Sequence, residues 1–195
     1  VNRMTKLRNI LKFGLRGTSL SVGSFWSGSL NAKIKHLAQT ESFDALFVFS
    51  STMAEYAKGL NVPLKIIDFC DLDSAKFLQF ANASAFPKSI LYRTEGRRLA
   101  RYEKKLINSF DHILFINKEE KQLFDVRDRM GKIKVMSNGA DSKSHDSTQI
   151  PTVPLHSPYV VFTGVMNYLP NTDAVLWCAN HVFARLRAHF PTLSF

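Results

Sequence analysis

Residues 45–69 read Ala-Leu-Phe-Val-Phe-Ser-Ser-Thr-Met-Ala-Glu-Tyr-Ala-Lys-Gly-Leu-Asn-Val-Pro-Leu-Lys-Ile-Ile-Asp-Phe. The stretch opens on a short apolar run, Ala45 to Phe49, the mark of a strand buried on both faces of a parallel sheet. Ser50-Ser51-Thr52 can cap a following helix, with Glu55 in its first turn. Pro63 then introduces a second strand, Leu64 to Phe69. Strand, helix, strand within so short a span requires a right-handed crossover, and so a parallel pair.

The same alternation continues downstream. Ser74 to Ala83 reads as a helix. Residues 88–110 form a longer one, with Leu99, Tyr102, Leu106 and Phe110 as its stripe and Arg97, Arg98, Lys104 and Lys105 largely off it. His112 to Ile116 is a third strand, Lys118 to about Asp128 a helix, and Ile133 to Met136 a fourth strand. The expected class is α/β: a Rossmann-like parallel sheet covered by helices on both sides.

Upstream, Met4, Leu7, Leu11 and Leu15 recur at helical spacing beside Lys6, Arg8 and Lys12, which predicts a basic amphipathic helix. Residues 14–30 are rich in Gly and Ser and read as a loop whose apolar tip is Phe25 and Trp26. A second short helix is expected from about Leu30 to Ala38.

Beyond Asn138-Gly139 the pattern breaks. Residues 140–158, with Pro151, Pro154 and Pro158, read as a linker. A strand is expected over Tyr159 to Thr163. A helix follows from Asn171 with the stripe Val175, Ala179, Val182, Leu186 and Phe190, and the last residues read as the opening of another strand. About 40 residues bury too little surface to close a core. The expected organisation is therefore a partial first domain over 1–139, a linker over 140–158, and the truncated start of a second domain over 159–195.

Charge and composition narrow the function classes. The chain has 195 residues and a formal charge of +10. Seven basic residues (Arg3, Lys6, Arg8, Lys12, Arg16, Lys33, Lys35) precede the first acid, Glu41. Such a cluster suits an anionic lipid surface, a phosphorylated substrate or plain solvation. It carries no zinc-finger, RNP or GXXG pattern, so nucleic acid is not expected as a partner. No apolar run is long enough to span a bilayer. Cys70 and Cys178 show no ligand spacing and read as reduced thiols, in keeping with a cytoplasmic location. No metal site is expected. The motifs of P-loop NTPases, dinucleotide enzymes and α/β-hydrolases do not occur.

In open parallel sheets ligands bind beyond the carboxyl ends of the strands. Four such ends carry polar or glycine residues. Ser50, Ser51 and Thr52 could hold an anion or merely cap. Asp68, Asp71 and Asp73 could act as a general base, accept sugar hydroxyls or bind a metal, unless Asp71 only caps the next helix. Asn117-Lys118-Glu119-Glu120 is explained by capping. Gly164, with Val165, Met166 and Asn167 after it, forms a loop through which backbone can approach a ligand.

Several of these stretches together resemble a known family. Asp68-Phe-Cys-Asp-Leu-Asp-Ser74, Tyr92-Arg-Thr-Glu95, Leu99-Ala-Arg-Tyr-Glu103, Phe110-Asp111, Asn138-Gly-Ala-Asp141 and Phe162-Thr-Gly-Val-Met-Asn-Tyr-Leu-Pro-Asn-Thr-Asp-Ala174 occur in this order. They are similar to family 4 glycosyltransferases of the GT-B fold, especially the sugar transferases that accompany exosortase-type exopolysaccharide clusters. The resemblance implies transfer of a sugar from a nucleotide-sugar donor to a glycan or lipid-linked acceptor in a cleft between two Rossmann-like domains. It implies retention of anomeric configuration, with no cofactor and no obligatory metal.

By position, Asp68 and Asp71 would face the transferred sugar as catalytic candidates. Gly164, Val165, Met166 and Asn167 would lie under the donor phosphates, and Ser50, Ser51 and Asp73 on the acceptor side. Val165 and Asn171 stand near the places where many members carry arginine and lysine. The family's E-x7-E pair would lie past Phe195 and its Gly-rich loop before Val1, so this stretch alone is expected to be inactive. A lipid-linked acceptor adds an anionic bilayer as a peripheral partner. The alternatives are a non-enzymatic Rossmann-like binding module and a GT-B sugar-nucleotide epimerase.

Overall fold

A computed structural model describes residues 3–124, 128, 130–141 and 158–195. The chain divides into two compact units, Val1–Gly139 and Ala140–Phe195. Most of the expected linker, 142–157, lies outside the described residues, as does 125–127 in the expected helix after the third strand.

The first unit is an α/β layer structure around one all-parallel sheet in the order β1-β2-β3-β4. The strands are β1 (Ala45–Phe49), β2 (Leu64–Cys70), β3 (His112–Phe115) and β4 (Ile133–Val135). Ala45 to Phe49 pair in order with Leu64 to Asp68. The ladder between β2 and β3 slips between Asp68 and Cys70, so an irregularity sits at the end of the second strand. Such irregularities often re-aim side chains at functional sites.

Ile67, Ile113 and Phe115 are fully enclosed, and Phe115 meets Phe69 and Phe124 at ring separations of 5.2 and 5.4 Å. Full burial of one such side chain contributes about 1.5–3 kcal/mol. β1 departs from the expectation of burial on both faces. Val48 is buried, but Phe47 is 54% and Phe49 65% exposed. Phe47 and Phe49 share one face of β1, the edge strand of the sheet, and no element among the described residues covers that face.

The helices of this unit are α1 (Arg3–Leu15), α2 (Leu20–Phe25), α3 (Gly28–Thr40), α4 (Asp73–Ala83), α5 (Lys88–Leu106) and α6 (Lys118–Leu123). The expected loop over 14–30 therefore contains a helix. α2 forms because Ser19 accepts from the Val22 N–H, and because buried Glu95 receives the Ser19 hydroxyl and the N–H groups of Leu20 (2.9 Å) and Ser21 (2.8 Å). These bonds satisfy the orphan donors of its first turn. Trp26 is no apolar tip either; it stacks on Tyr56 at 5.0 Å and packs against the core.

α1 turns Asn9 and Phe13 inward, while Met4, Leu7, Leu11 and Leu15 stay exposed, Leu15 at 89%. The helical spacing was legible, but this stripe does not pack on the sheet. α4 and α5 cross closely at Gly96, where an added Cβ would stand 2.9 Å from Leu78 Cγ and 3.1 Å from the Ser74 carbonyl oxygen.

In the second unit, α7 (Leu169–Trp177), a wide π-type stretch (Cys178–Phe183) and α8 (Ala184–His189) form one continuous helical run. It opens two residues earlier than expected, with Pro170 in its first turn, where a missing N–H costs nothing. The expected strand Tyr159–Thr163 is reduced to one parallel bridge between Tyr159 and Ser194. Val175, Ala179, Val182 and Leu186 are half-buried and Phe190 is exposed. No helix among the described residues is long and apolar enough to cross a membrane.

Candidate functional site at the ends of β1 and β2

β1 and β2 are neighbours, so their carboxyl ends lie side by side and bring Ser50, Ser51, Asp68, Asp71 and Asp73 into one region. Both ends are strained. Ser50 (φ 73°) and Cys70 (φ 59°) are the only non-glycine residues with positive φ among those described. Left-handed backbone in a residue with a Cβ costs on the order of 1–3 kcal/mol and persists only where the surroundings enforce it.

The enforcing bonds are local. Ser50 N–H donates to the Asp68 carbonyl (2.8 Å), and Cys70 N–H donates to the Asp68 carboxylate (2.8 Å). Asp68 thus locks the end of β2. Burial first, then the neighbouring Asp68, pushes the Cys70 thiol up to about 11, so it stays protonated and is a poor nucleophile.

The capping expected of Ser50 does not occur. Its hydroxyl pairs with Thr52 (3.0 Å) instead, and residues Ser51–Ala57 form a 3₁₀ helix with no side-chain cap. Nor does Asp71 cap α4, whose N-cap is Leu72. Lys76 draws Asp71 (3.2 Å) and Asp73 (3.1 Å) together instead. Burial alone would lower the Lys76 ammonium, but the Asp73 and Asp71 carboxylates carry it upward and keep it charged. Asp71 remains about half exposed and is the most accessible acid of the group. Among the described residues, no three His, Cys, Asp or Glu side chains are placed to hold a metal ion together.

Asn117 does cap α6, accepting from the Glu120 N–H at 2.7 Å. Glu120 also reaches across to accept the Leu72 N–H (2.7 Å), which ties α6 to the loop after β2.

Glu103 lies beneath the strand ends; it closes one of the stretches that carry the resemblance, with no role attached to it there. It is 1% exposed, and its Oε1 accepts from the Ser51 hydroxyl (3.4 Å) and the Ser74 N–H (3.3 Å), while Oε2 has no partner. Burial, only partly offset by the Ser74 bonds, pushes its carboxyl up to about 7. The signal in the sequence was its place on the apolar stripe of α5: Glu95, Leu99, Tyr102, Glu103 and Leu106 share the buried face.

In the second unit, Gly164, Val165, Met166 and Asn167 form an exposed turn ahead of α7. The first turn of that helix holds it. The Asn171 amide donates to the Val165 carbonyl (3.1 Å) and the Thr172 hydroxyl to the Met166 carbonyl (2.8 Å). A Cβ at Gly164 would stand 2.7 Å from the Phe162 ring and 2.8 Å from the Asn171 amide nitrogen, so a larger residue there would make these two side chains shift.

No family model, no curated protein and no solved structure matches the chain.

Proposed function

We propose that the chain belongs to a retaining family 4 glycosyltransferase of the GT-B type, with its first unit part of the acceptor side and its second unit part of the donor side. It would transfer a sugar from a nucleotide-sugar donor to a glycan or lipid-linked acceptor in the synthesis of a cell-surface polysaccharide. Support comes first from the ordered set of motifs resembling that family. The observation that carries the reading is the pair of adjacent parallel strands ending in left-handed residues, Ser50 and Cys70, beside Asp68 and Asp71. Strain maintained at the ligand-binding end of a parallel sheet suits a site that must present side chains at fixed angles.

In this reading Asp71 holds an acceptor or donor-sugar hydroxyl, with Lys76 setting its direction, and Asp68 is the positioning residue that fixes the β2 end. The turn Gly164–Asn167 approaches the donor phosphates. The acceptor oxygen bonds to the anomeric carbon, its proton is released, and the nucleoside diphosphate departs with the electrons of the broken bond. Release of nucleoside diphosphate from a panel of nucleotide sugars, measured on the natural full-length gene product, tests the assignment. Asp71→Asn is expected to lower kcat by about 100-fold or more, the usual scale for loss of a positioned carboxylate. Turnover unchanged in Asp71→Asn removes that residue from the site.

One observation favours a non-enzymatic binding module instead: every acid of the cluster has a structural partner, Asp68 at Cys70 and both Asp71 and Asp73 at Lys76. Wild-type protein that binds a nucleotide sugar without releasing nucleoside diphosphate would support that reading.

The acceptor reading extends to α1 as a contact with an anionic bilayer. The helix exposes Met4, Leu7, Leu11 and Leu15 together with Lys6, Arg8 and Lys12. Each basic residue near such a surface contributes roughly 1 kcal/mol, so several acting together suffice without an inserted helix. Sedimentation with phosphatidylglycerol vesicles is expected at low salt and not at high salt. Arg8→Glu with Lys12→Glu should weaken it at least about tenfold. Binding indifferent to both changes makes the charge solvated surface only.

A further inference from the structure

We propose that a second site in the first unit, a cavity of about 350 Å³ walled by Arg16, Arg98, Arg101 and Lys105, binds a phosphate or diphosphate group. It shares no lining residue with the strand-end cluster and does not depend on the glycosyl-transfer reading.

The charge balance comes first. Lys58 also lines the cavity, but its ammonium is taken by Glu55 at 2.6 Å, the only carboxylate in the wall. Arg16, Arg98, Arg101 and Lys105 form no ion pair among the described residues. Four like charges facing one concave space repel one another, and an anion placed between them removes that cost.

Helix capping does not account for Arg16. The last carbonyls of α1 are already closed by backbone, with Arg16 N–H and Thr18 N–H donating to Phe13 (3.2 and 3.0 Å) and Gly17 N–H to Gly14 (3.0 Å). Its guanidinium is therefore not consumed by the helix end.

An independent observation points to the same space. Tyr102, only 8% exposed, lines the cavity; its buried hydroxyl makes no hydrogen bond of good geometry, and the Glu55 carboxylate in the same wall interacts with it only loosely. A ligand oxygen placed in the cavity gives this hydroxyl an acceptor of better geometry. Burial, then the nearby Glu55, pushes the phenol upward, so the group is a permanent donor. The guanidinium groups of Arg16 and Arg98, the terminal nitrogens of Arg101 (whose Nε–H donates to the Arg97 carbonyl at 3.2 Å), the Lys105 ammonium and the phenol make a donor set matched to tetrahedral phosphate oxygens. The volume lies at the small end of the roughly 300–1,000 Å³ range of ligand sites, which suits a compact anion.

The phosphate can come from a soluble molecule or from a lipid headgroup, and two arms separate them. Inorganic pyrophosphate is titrated calorimetrically, and vesicles containing phosphatidic acid are tested by flotation. Arg98→Ala with Lys105→Ala alters only α5 and leaves the exposed face of α1 intact. It should weaken binding at least about tenfold, the equivalent of one lost charge-assisted bond. Arg8→Glu with Lys12→Glu should leave pyrophosphate binding unchanged. Pyrophosphate binding lost in the α5 variant identifies a soluble ligand. Vesicle binding alone, lost in the same variant, identifies a headgroup. If the double variant does not fold, Arg101→Ala, at an exposed position, serves in its place. No binding in either arm, or binding indifferent to the α5 changes, overturns the proposal.

Discussion

Phe115→Ala is expected to destabilise the sheet-bearing unit by roughly 3–5 kcal/mol, the range for truncating a buried aromatic. Phe115 is fully enclosed on β3 and is the meeting point of Phe69 and Phe124, so its removal leaves a cavity that three separate elements would have to close. The total stability of an ordinary domain is about 5–15 kcal/mol, so one substitution takes a large share of it. Denaturant titration should show a lower midpoint with unchanged slope. A midpoint within experimental error of wild type would mean that the sheet does not pack around this residue.

The second large effect is a pH dependence centred on Glu103. Its carboxyl titrates near 7 in the folded state and near its ordinary 4.5 when unfolded. Between those values the native state keeps a proton that the unfolded chain has lost. Stability therefore falls as pH rises from about 4.5 to about 7 and levels off above. At about 1.4 kcal/mol per unit the full effect is on the order of 3 kcal/mol. Glu103→Gln cannot ionise and keeps an acceptor for Ser51 and Ser74, so its stability should be flat over this window and exceed wild type at pH 8. Thermal unfolding of both proteins at pH 5 and pH 8 measures the difference. Equal pH slopes would show that Glu103 is not the buried acid responsible.

The parallel sheet was legible because its central strands are short apolar runs separated by helical periods, and β2 and β3 lie where those runs predict. The exposed face of β1 was not legible, since an apolar run does not say whether a helix covers each of its faces. α2 was missed for a related reason. Six residues rich in Ser and Gly have little helical preference of their own, and their first turn is completed by Glu95, far along the chain. The expected strand over 159–163 paired at one position only, because pairing depends on what lies beside it. At the candidate site the residue types were readable, Asp68, Asp71 and Ser50 above all. Their surroundings were not: Lys76 pairs with Asp71 only once α4 has formed, Glu120 reaches the Leu72 N–H from α6, and Glu103 reaches Ser51 and Ser74 from α5.

The most direct measurement is the fate of the anomeric centre. The natural full-length gene product is supplied with a nucleotide sugar and a glycan or lipid-linked acceptor, and the new glycosidic bond is read by NMR. Retention of the donor's anomeric configuration, with turnover falling about 100-fold in Asp71→Asn, is the result predicted here. Inversion, or no transfer to any acceptor by protein shown to bind the donor, would contradict it.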